Sequence, residues 1–100
     1  MNQGEVYEIA QLQIKPESRE KFEQEVPKAL AILSAAPGCR DAHVLLGVEE
    51  PDQPCFAVHW DSVDAHESFR EAPSFADYRA TIADTFASPP TYRHFVVGPR

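Results

Sequence analysis

Three side chains in the second half of the chain could accept a proton or hold one in place. His59 stands beside Trp60 at the end of an apolar run, His66 follows shortly after, and Tyr78 recurs with apolar residues at helical spacing. Histidine suits the role of a base because its unperturbed pKa is about 6.5. We take His59, His66 and Tyr78 as candidate catalytic residues. The alternatives are a hydrogen-bonded core or interface histidine, a surface or capping histidine, and a tyrosine bonded to a backbone carbonyl.

Four further residues could contact a small molecule: Tyr7, Trp60, Phe69 and Arg79. The three aromatic side chains would form apolar walls, and Arg79 could stabilise an oxyanion. The alternatives are core aromatics and a solvated helical arginine. Side chains alternate in direction along a strand, so His59 and Trp60 must face opposite sides of the sheet. Only one of the two can enter a pocket on the helix side.

Motifs for metal ions and cofactors are missing from the sequence. The four histidines form no HxH, HExxH or Cys/His cluster, and no GxGxxG, Walker loop or GxSxG occurs. We therefore expect neither a metal centre nor a cofactor. Cys39 and Cys55 do not form a CxxC pair and are interpreted as free thiols.

Charge and length limit the possible partners. The 100 residues carry 16 acidic residues against 9 Lys and Arg, for a net charge of −7. This balance repels phosphate backbones and anionic lipid, so we expect no nucleic-acid partner. No apolar stretch approaches the roughly 20 residues of a membrane span, and residues 1–11 do not resemble a signal peptide. We expect one cytoplasmic domain over residues 1–100, with no membrane contact.

Periodicity indicates which elements position these residues. Val6, Ala10 and Leu12 share one parity and Tyr7 lies on the other, a pattern typical of a strand. Phe22 opens an apolar stripe of helical period. The predicted strands are at 5–14, 43–48, 55–60 and 91–97, and a helix is predicted at 17–36. A second helical region is predicted from residue 61, interrupted at Pro73 and capped again by Ser74. This β-α-β-β-α-β order predicts an α+β, ferredoxin-like fold with a four-stranded antiparallel sheet.

The apolar pattern of the two middle strands predicts how the chain assembles. A turn at 49–54 would place His43 opposite Trp60 and Val44 opposite His59. The runs HVLLGV and CFAVHW are apolar on both parities, whereas two helices can cover only one face of the sheet. We therefore expect the second face to bury against another copy, giving a two-fold symmetric, sheet-to-sheet homodimer.

Three short motifs carry a family resemblance. They are PGC at Pro37–Cys39, WDS at Trp60–Ser62 and SF-x-x-Y at Ser74–Tyr78. Their order and spacing resemble the antibiotic biosynthesis monooxygenase (ABM) domain family of the dimeric α+β barrel superfamily, over residues 6–97. The resemblance implies a homodimer whose two sheets form a barrel with the helices outside. It also implies a small-molecule pocket between sheet and helices in each subunit.

The resemblance implies an activity as well. Family members include cofactor-independent oxygenases acting on anthrones or quinols, so we expect a cofactor-independent monooxygenase for a small aromatic substrate. Such an enzyme needs an apolar pocket, a proton acceptor and hydrogen bonds to the substrate anion. The alternatives are a non-redox binding protein or isomerase/cyclase, and a structural dimer with no activity.

Haem degradation, another activity in the family, is disfavoured by three residues. Haem degraders carry an Asn on the first strand, a Trp on the second helix and a His ligand further along it. Ungapped matching places Ile9, Phe69 and Arg79 at those positions. Arginine cannot ligate haem iron as histidine does.

Overall fold

The computed structural model describes residues 4–99. The strands are β1 (Val6–Gln11), β2 (Cys39–Leu45), β3 (Cys55–Trp60) and β4 (Thr91–Phe95). The helices are α1 (Arg19–Ser34), α2 (Val63–Glu71) and α3 (Pro73–Ile82), and short 3-10 turns occupy Pro16–Ser18 and Ala83–Thr85. The predicted order of strands and helices is confirmed.

The four strands form one sheet in the order β2-β3-β1-β4, with every neighbouring pair antiparallel. This is the arrangement of the ferredoxin-like α+β fold, and the predicted fold class is confirmed. β1 therefore lies in the middle of the sheet, between β3 and β4. Side chains on the helix side of β1 can reach both neighbouring strands.

The helices pack on one face of the sheet. Val6, Ala10, Leu12 and Ile14 are all buried there, as their shared parity predicted. α1 contributes its own buried stripe, and β3 contributes alternate residues. Those two sets are Phe22, Val26, Ala29 and Leu33 from α1, and Phe56, Val58 and Trp60 from β3. The apolar core is thus a single layer between helices and sheet.

The predicted bounds of β3 are confirmed, whereas the predicted bounds of β2 and the register between β2 and β3 were wrong. β2 begins at Cys39 and ends at Leu45, and His43 pairs with Ala57 rather than Trp60. Leu46 and Val48 lie in the loop and are exposed, so the apolar run HVLLGV does not mark the strand. The loop is longer than the predicted turn because backbone amides of Leu12 and Ile14 pair with carbonyls inside it.

The helical region after β3 starts as predicted and is interrupted as predicted. Ser62 caps α2, and its side chain accepts a hydrogen bond of 3.1 Å from the amide of Ala65. The expected cap at Ser74 was wrong. α3 starts two residues earlier than that cap implies, with Pro73 in its first turn, and Ala72 holds the capping position. Proline is favoured there because the amide that it lacks has no partner inside the helix.

Gly38 determines how closely α2 approaches the turn after α1. Its φ of 86° lies in the left-handed region, and a Cβ at this position would come within 2.6 Å of the Cβ of Ala65. The carbonyl of Gly38 accepts a hydrogen bond from the amide of Asp61, at 2.8 Å. A residue with no side chain is therefore needed for α2, with His66 on it, to lie at its observed depth.

The other face of the sheet is not covered by helices, and we call it the open face. It presents Tyr7, Leu45, Ala57 and Phe95, and Leu45 and Phe95 are 51% and 44% exposed. Asp41, His43 and Arg93 share this face, so it is less apolar than the sequence pattern of the middle strands predicted. Within residues 4–99, no helix is long and apolar enough to cross a membrane.

Candidate functional site

A cavity of about 180 Å³ lies between the sheet and the helices α2 and α3. β1 forms its floor, α2 and α3 form one side, and residues around the start of β4 form the other. Its polar lining consists of Glu8, His66, Arg70, Tyr78 and Arg79, and Phe75, Phe86 and Tyr92 supply aromatic walls. The cavity is where the sequence analysis expected a small-molecule pocket.

Glu8 is a carboxylate on the core side of β1. It has the same parity as Val6 and Ala10, and only 7% of it is exposed. The indole nitrogen of Trp60 donates a hydrogen bond of 2.9 Å to its Oε1. Burial raises the pKa of Glu8 to about 6, because the hydrogen bond from Trp60 and the charge of Arg70 only partly offset the loss of hydration.

His66 connects Glu8 to the far edge of the sheet. Its Nε2 lies 3.3 Å from Oε1 of Glu8, and its Nδ1 shares a hydrogen bond of 2.8 Å with Nε2 of His94. The ring stacks on Trp60 with centroids 5.1 Å apart. Burial and then the charge of His94 lower the pKa of His66 to about 4. We call Glu8, His66 and His94 the polar triad.

The contacts of the polar triad favour one tautomer of the neutral His66 ring. A proton on Nε2 faces the carboxylate of Glu8, and the unprotonated Nδ1 then accepts a hydrogen bond from His94. β1, α2 and β4 each contribute one member. Glu8 and His66 both line the cavity, so a ligand there would contact a carboxylate that can accept a proton.

Tyr78 and Arg79 offer hydrogen-bond donors on α3. Tyr78 is buried, and its hydroxyl forms no hydrogen bond with any residue of 4–99. Burial, and then the charge of Glu8, raise the pKa of this hydroxyl above its usual range, so it is held as a donor. The Nε of Arg79 is also buried without a partner in the described part of the chain. Buried donors normally find an acceptor, which a ligand in the cavity could supply.

Arg70 approaches the cavity from the end of α2. Its guanidinium lies 4.9 Å from the ring centroid of Tyr92 and 5.9 Å from that of Phe75. Arg79 lies 5.9 Å from Phe75 on the other side. Two cations over aromatic faces give the cavity a positive rim, which favours ligands that carry or develop negative charge.

The structure brings together some of the candidate residues and separates others. His66, Tyr78 and Arg79 line the cavity, while Trp60 and Phe69 are buried beside it and contact each other at 5.8 Å.

His59 and Tyr7 lie on the open face, with stacked rings whose centroids are 4.3 Å apart, and do not reach the cavity. Of the two neighbours at the end of β3, Trp60 is therefore the one that points toward the helices, and neither His59 nor Tyr7 lines this cavity. Alternation along β3 had required that one of the two neighbours point away.

Several residues of the site were missed from the sequence. Glu8 could have been found from the sequence. It is a carboxylate at the same strand parity as the apolar residues Val6 and Ala10, which predicts that it faces the core. His94 and Tyr92 share the parity of β4 that faces the helices, but the neighbouring residues of that strand are polar and mask the pattern. Arg70 carried no signal, because a surface arginine on a charged helix is common.

A comparison of the amino-acid sequence with family profiles identifies the family. The profile of the antibiotic biosynthesis monooxygenase family matches residues 5–81. The chain belongs to this family. Strands β1–β3, helices α1 and α2 and nearly all of α3 lie inside the match, whereas β4 with His94 lies outside it. The resemblance carried by the three short motifs is thereby confirmed.

Solved structures of other proteins share the fold. A candidate antibiotic biosynthesis monooxygenase from Bordetella bronchiseptica is 30% identical, with a TM-score of 0.91 over 97% of this chain and 100% of that one. One from Caulobacter crescentus is 20% identical, with a TM-score of 0.82 over 97% and 92%. SnoaB, a cofactor-independent oxygenase from Streptomyces nogalater, is 14% identical, with a TM-score of 0.80 over 96% and 95%. No curated protein sequence gives a significant match.

Proposed function

We propose that this ABM protein is a monooxygenase that oxidises a small phenolic aromatic, a quinol or an anthrone-like compound, in the cavity between sheet and helices. It works without flavin, haem or metal. One observation carries the proposal: a single cavity is lined by aromatic walls, by two members of the polar triad, by the hydroxyl-bearing Tyr78 and by Arg79 with its unpaired Nε. These are the parts that cofactor-independent oxygenation of a phenol requires.

The substrate itself supplies the electrons in this reaction. A deprotonated phenol is electron-rich enough to react with dioxygen at a ring carbon. Where the ring CH₂ of an anthrone becomes a carbonyl, one oxygen atom enters the product, and the other leaves as water with the two hydrogens of the CH₂. Where a quinol becomes a hydroxyquinone, one oxygen atom enters a ring C–H bond, and the other leaves as water with the hydrogens of the two quinol hydroxyls. In both reactions the four electrons that reduce dioxygen come from the substrate. The protein must therefore remove a proton and stabilise the resulting anion.

The lining residues divide these two tasks. Glu8 lines the cavity with a carboxylate whose pKa is about 6, so it is placed to accept the proton, and His66 holds that carboxylate in position. The Tyr78 hydroxyl and the Arg79 Nε have no acceptor within residues 4–99 and are free to donate to a phenolate oxygen. Donors that are already oriented in a buried site stabilise a developing anion without the cost of reorganising solvent.

The volume of the cavity favours the smaller members of the substrate class. An engineered apolar cavity of about 150 Å³ holds one benzene molecule. A cavity of about 180 Å³ is only slightly larger, although it is open on one side. A quinol of one or two rings is therefore a better fit than a three-ring anthrone.

Relatives of known structure support the proposed monooxygenase function. SnoaB is described as a cofactor-independent oxygenase and has this fold, and the protein from Bordetella bronchiseptica is 30% identical over the whole fold. Fold alone does not define chemistry, so the proposal depends on the cavity and its lining.

The proposal includes a homodimer formed through the open face. Tyr7, Leu45 and Phe95 leave 37%, 51% and 44% of their surface exposed on that face, and Val96 and Val97 extend the apolar surface beyond β4. Monomeric proteins seldom leave apolar residues clustered in this way. A second copy related by two-fold symmetry would cover them.

Oxygen uptake tests the proposed reaction. The purified chain is given a panel of one-, two- and three-ring quinols and anthrones in air-saturated buffer containing a metal chelator. We expect uptake above the buffer rate for at least one compound, and one ¹⁸O atom in the product from ¹⁸O₂. Binding of the same compounds without uptake would favour the non-redox alternative, and neither binding nor uptake would favour a structural dimer.

A further inference from the structure

Three side chains with metal-binding atoms meet between the middle of α2 and β4. His66 and Glu67 are consecutive residues of α2, and His94 lies on β4. One ligand atom from each lies within 4.8 Å of the others. His66 is buried, whereas Glu67 and His94 are half-buried, so the cluster lies between the core and solvent. An ion could enter from the surface and still be partly shielded from water.

The orientation of His66 is a second observation that points to a metal ligand. Its Nε2 faces the Glu8 carboxylate at 3.3 Å, and its Nδ1 faces His94. Metal-binding histidines usually direct their second ring nitrogen to a carboxylate, which fixes the tautomer and makes the metal-facing nitrogen a better donor. Glu8 is in turn held by the indole of Trp60. His66 therefore has both contacts expected of a metal-binding histidine: a carboxylate at Nε2, and a second potential ligand, His94, at Nδ1.

We propose that Nδ1 of His66, Nε2 of His94 and the carboxylate of Glu67 bind one divalent transition-metal ion, with Zn²⁺ as the best fit. Two imidazoles and one carboxylate are a common zinc donor set and leave a fourth position for water. Imidazole nitrogen is also preferred by the other late transition metals and not by Mg²⁺ or Ca²⁺. The carboxylates of Glu8 and Glu67 offset the two positive charges of the ion.

Small movements make the site fit the ion. The two imidazole nitrogens are 2.8 Å apart in their hydrogen bond. Tetrahedral coordination at about 2.05 Å would require about 3.3 Å, so an opening of about half an ångström is enough. Glu67 must leave its contact with Arg70, which is long, at 3.4 Å, and about 40% exposed on both sides. Exposed ion pairs of this kind hold their side chains weakly.

Binding would also affect catalysis. This effect, unlike the metal site itself, rests on the proposed function. The ion takes the Nδ1 lone pair of His66 and replaces the hydrogen bond between His66 and His94. The polar triad is then interrupted beside the cavity. Zn²⁺ is therefore a reversible inhibitor of the proposed oxygenase rather than its cofactor.

Titration calorimetry of the untagged full-length protein with ZnSO₄ tests the site, with Co²⁺ absorption as a second readout. We expect one Zn²⁺ per chain with micromolar affinity, a higher melting temperature with Zn²⁺, and a Co²⁺ spectrum typical of four nitrogen and oxygen ligands. His94→Gln and Glu67→Gln should each weaken binding at least 10-fold. Glu8→Gln, which removes no ligand, should weaken it roughly 10-fold or more through His66.

His43→Gln is the matched control, because His43 is an exposed histidine on the open face with its own acidic neighbour, Asp41. Binding should be unchanged in this variant. The proposal is overturned if no binding occurs below 1 mM, or if His43→Gln weakens it while His94→Gln does not. Circular dichroism of each variant separates loss of a ligand from loss of the fold. Calorimetry needs no substrate, so failure of the metal site and failure of the oxygenase proposal are distinguishable.

Discussion

The indole Nε1 of Trp60 donates a hydrogen bond of 2.9 Å to Oε1 of Glu8, across the neighbouring strands β3 and β1. Trp60 pairs in register with Val6, so Glu8 is its diagonal neighbour on the helix side of the sheet. Both residues are buried. This bond holds a carboxylate at the base of the cavity and directs the same oxygen toward His66.

The burial of Glu8 predicts a pH dependence of stability. Its pKa is raised from 4.5 to about 6, so the folded state binds this proton more tightly than the unfolded state. The resulting stabilisation is complete below pH 4.5 and is lost as the pH rises through 6, and it amounts to about 2 kcal/mol. Glu8→Gln removes this dependence.

Urea denaturation of the parent and of Glu8→Gln at pH 4.5 and pH 7.5 measures the effect. The difference in unfolding free energy should move by about 2 kcal/mol in favour of the Gln variant at the higher pH. Glu17→Gln, at an exposed position before α1, is the control and should show no such change. A difference for Glu8→Gln that is the same at both pH values would contradict the buried-carboxylate interpretation.

Tyr78→Phe should separate catalysis from stability. The ring stays in place against Phe56 and Phe69, and the lost hydroxyl has no hydrogen-bond partner within residues 4–99. The unfolding free energy should therefore change by less than about 0.5 kcal/mol, while kcat/KM for the best quinol falls roughly 100-fold. Tyr7→Phe on the open face should leave kcat/KM unchanged. A destabilised Tyr78→Phe enzyme with full kcat/KM would instead indicate a structural hydroxyl.

Arg79→Met should weaken substrate binding without destabilising the fold. The buried Nε has no partner in the described part of the chain, so losing it removes no hydrogen bond, and methionine keeps apolar contact with Phe75 and Phe86. We expect quinol KM to rise about 10-fold at an unchanged melting temperature. Arg19→Met, which removes a surface ion pair with Asp52, is the matched control. Equal KM values for the two variants would show that Arg79 does not contribute to substrate binding.

Gly38→Ala should be destabilising for two separable reasons. A left-handed φ costs a residue with a Cβ about 1–2 kcal/mol, and the new Cβ would lie 2.6 Å from that of Ala65. We expect a total loss above about 2 kcal/mol in urea denaturation. Adding Ala65→Gly should recover only the steric part, although it costs about 1 kcal/mol in the parent helix. Strictly additive effects would show that the close contact does not matter.

The homodimer proposal predicts the mass in solution. Sedimentation at micromolar concentration should give twice the chain mass of 11.2 kDa, and a mass near that of one chain would refute the dimer. Ala57→Glu places a charge on the open face and should give an aggregated or unfolded protein. Ala76→Glu makes the same exchange at an exposed position of α3 and should leave the dimer intact. A soluble Ala57→Glu dimer would count against the open face as the interface.

Features that depend on neighbours in the chain were predictable. The alternation of Val6, Ala10 and Leu12 and the helical stripe that begins at Phe22 were both confirmed. Period and turn chemistry act over a few residues, so the sequence itself contains the information. The order of strands and helices, and with it the fold class, follows from the same local signals.

Features that depend on distant residues were decided only by the tertiary structure. The register that pairs His43 with Ala57 depends on where the loop between β2 and β3 is held, which involves residues that follow β1. The choice of Trp60 over His59 for the helix side depends on which face the helices cover. Both questions are settled by packing, which has no short-range signature.

The candidate site shows the same division. The sequence by itself determined that His66, Tyr78 and Arg79 lie on the helices beside an apolar sheet, because helical spacing placed them there. Only the tertiary structure decided that Glu8 from β1 and His94 from β4 would meet His66, since that contact joins three elements across the sheet. The shift in the pKa of Glu8 has the same origin, because burial exists only once those elements have packed.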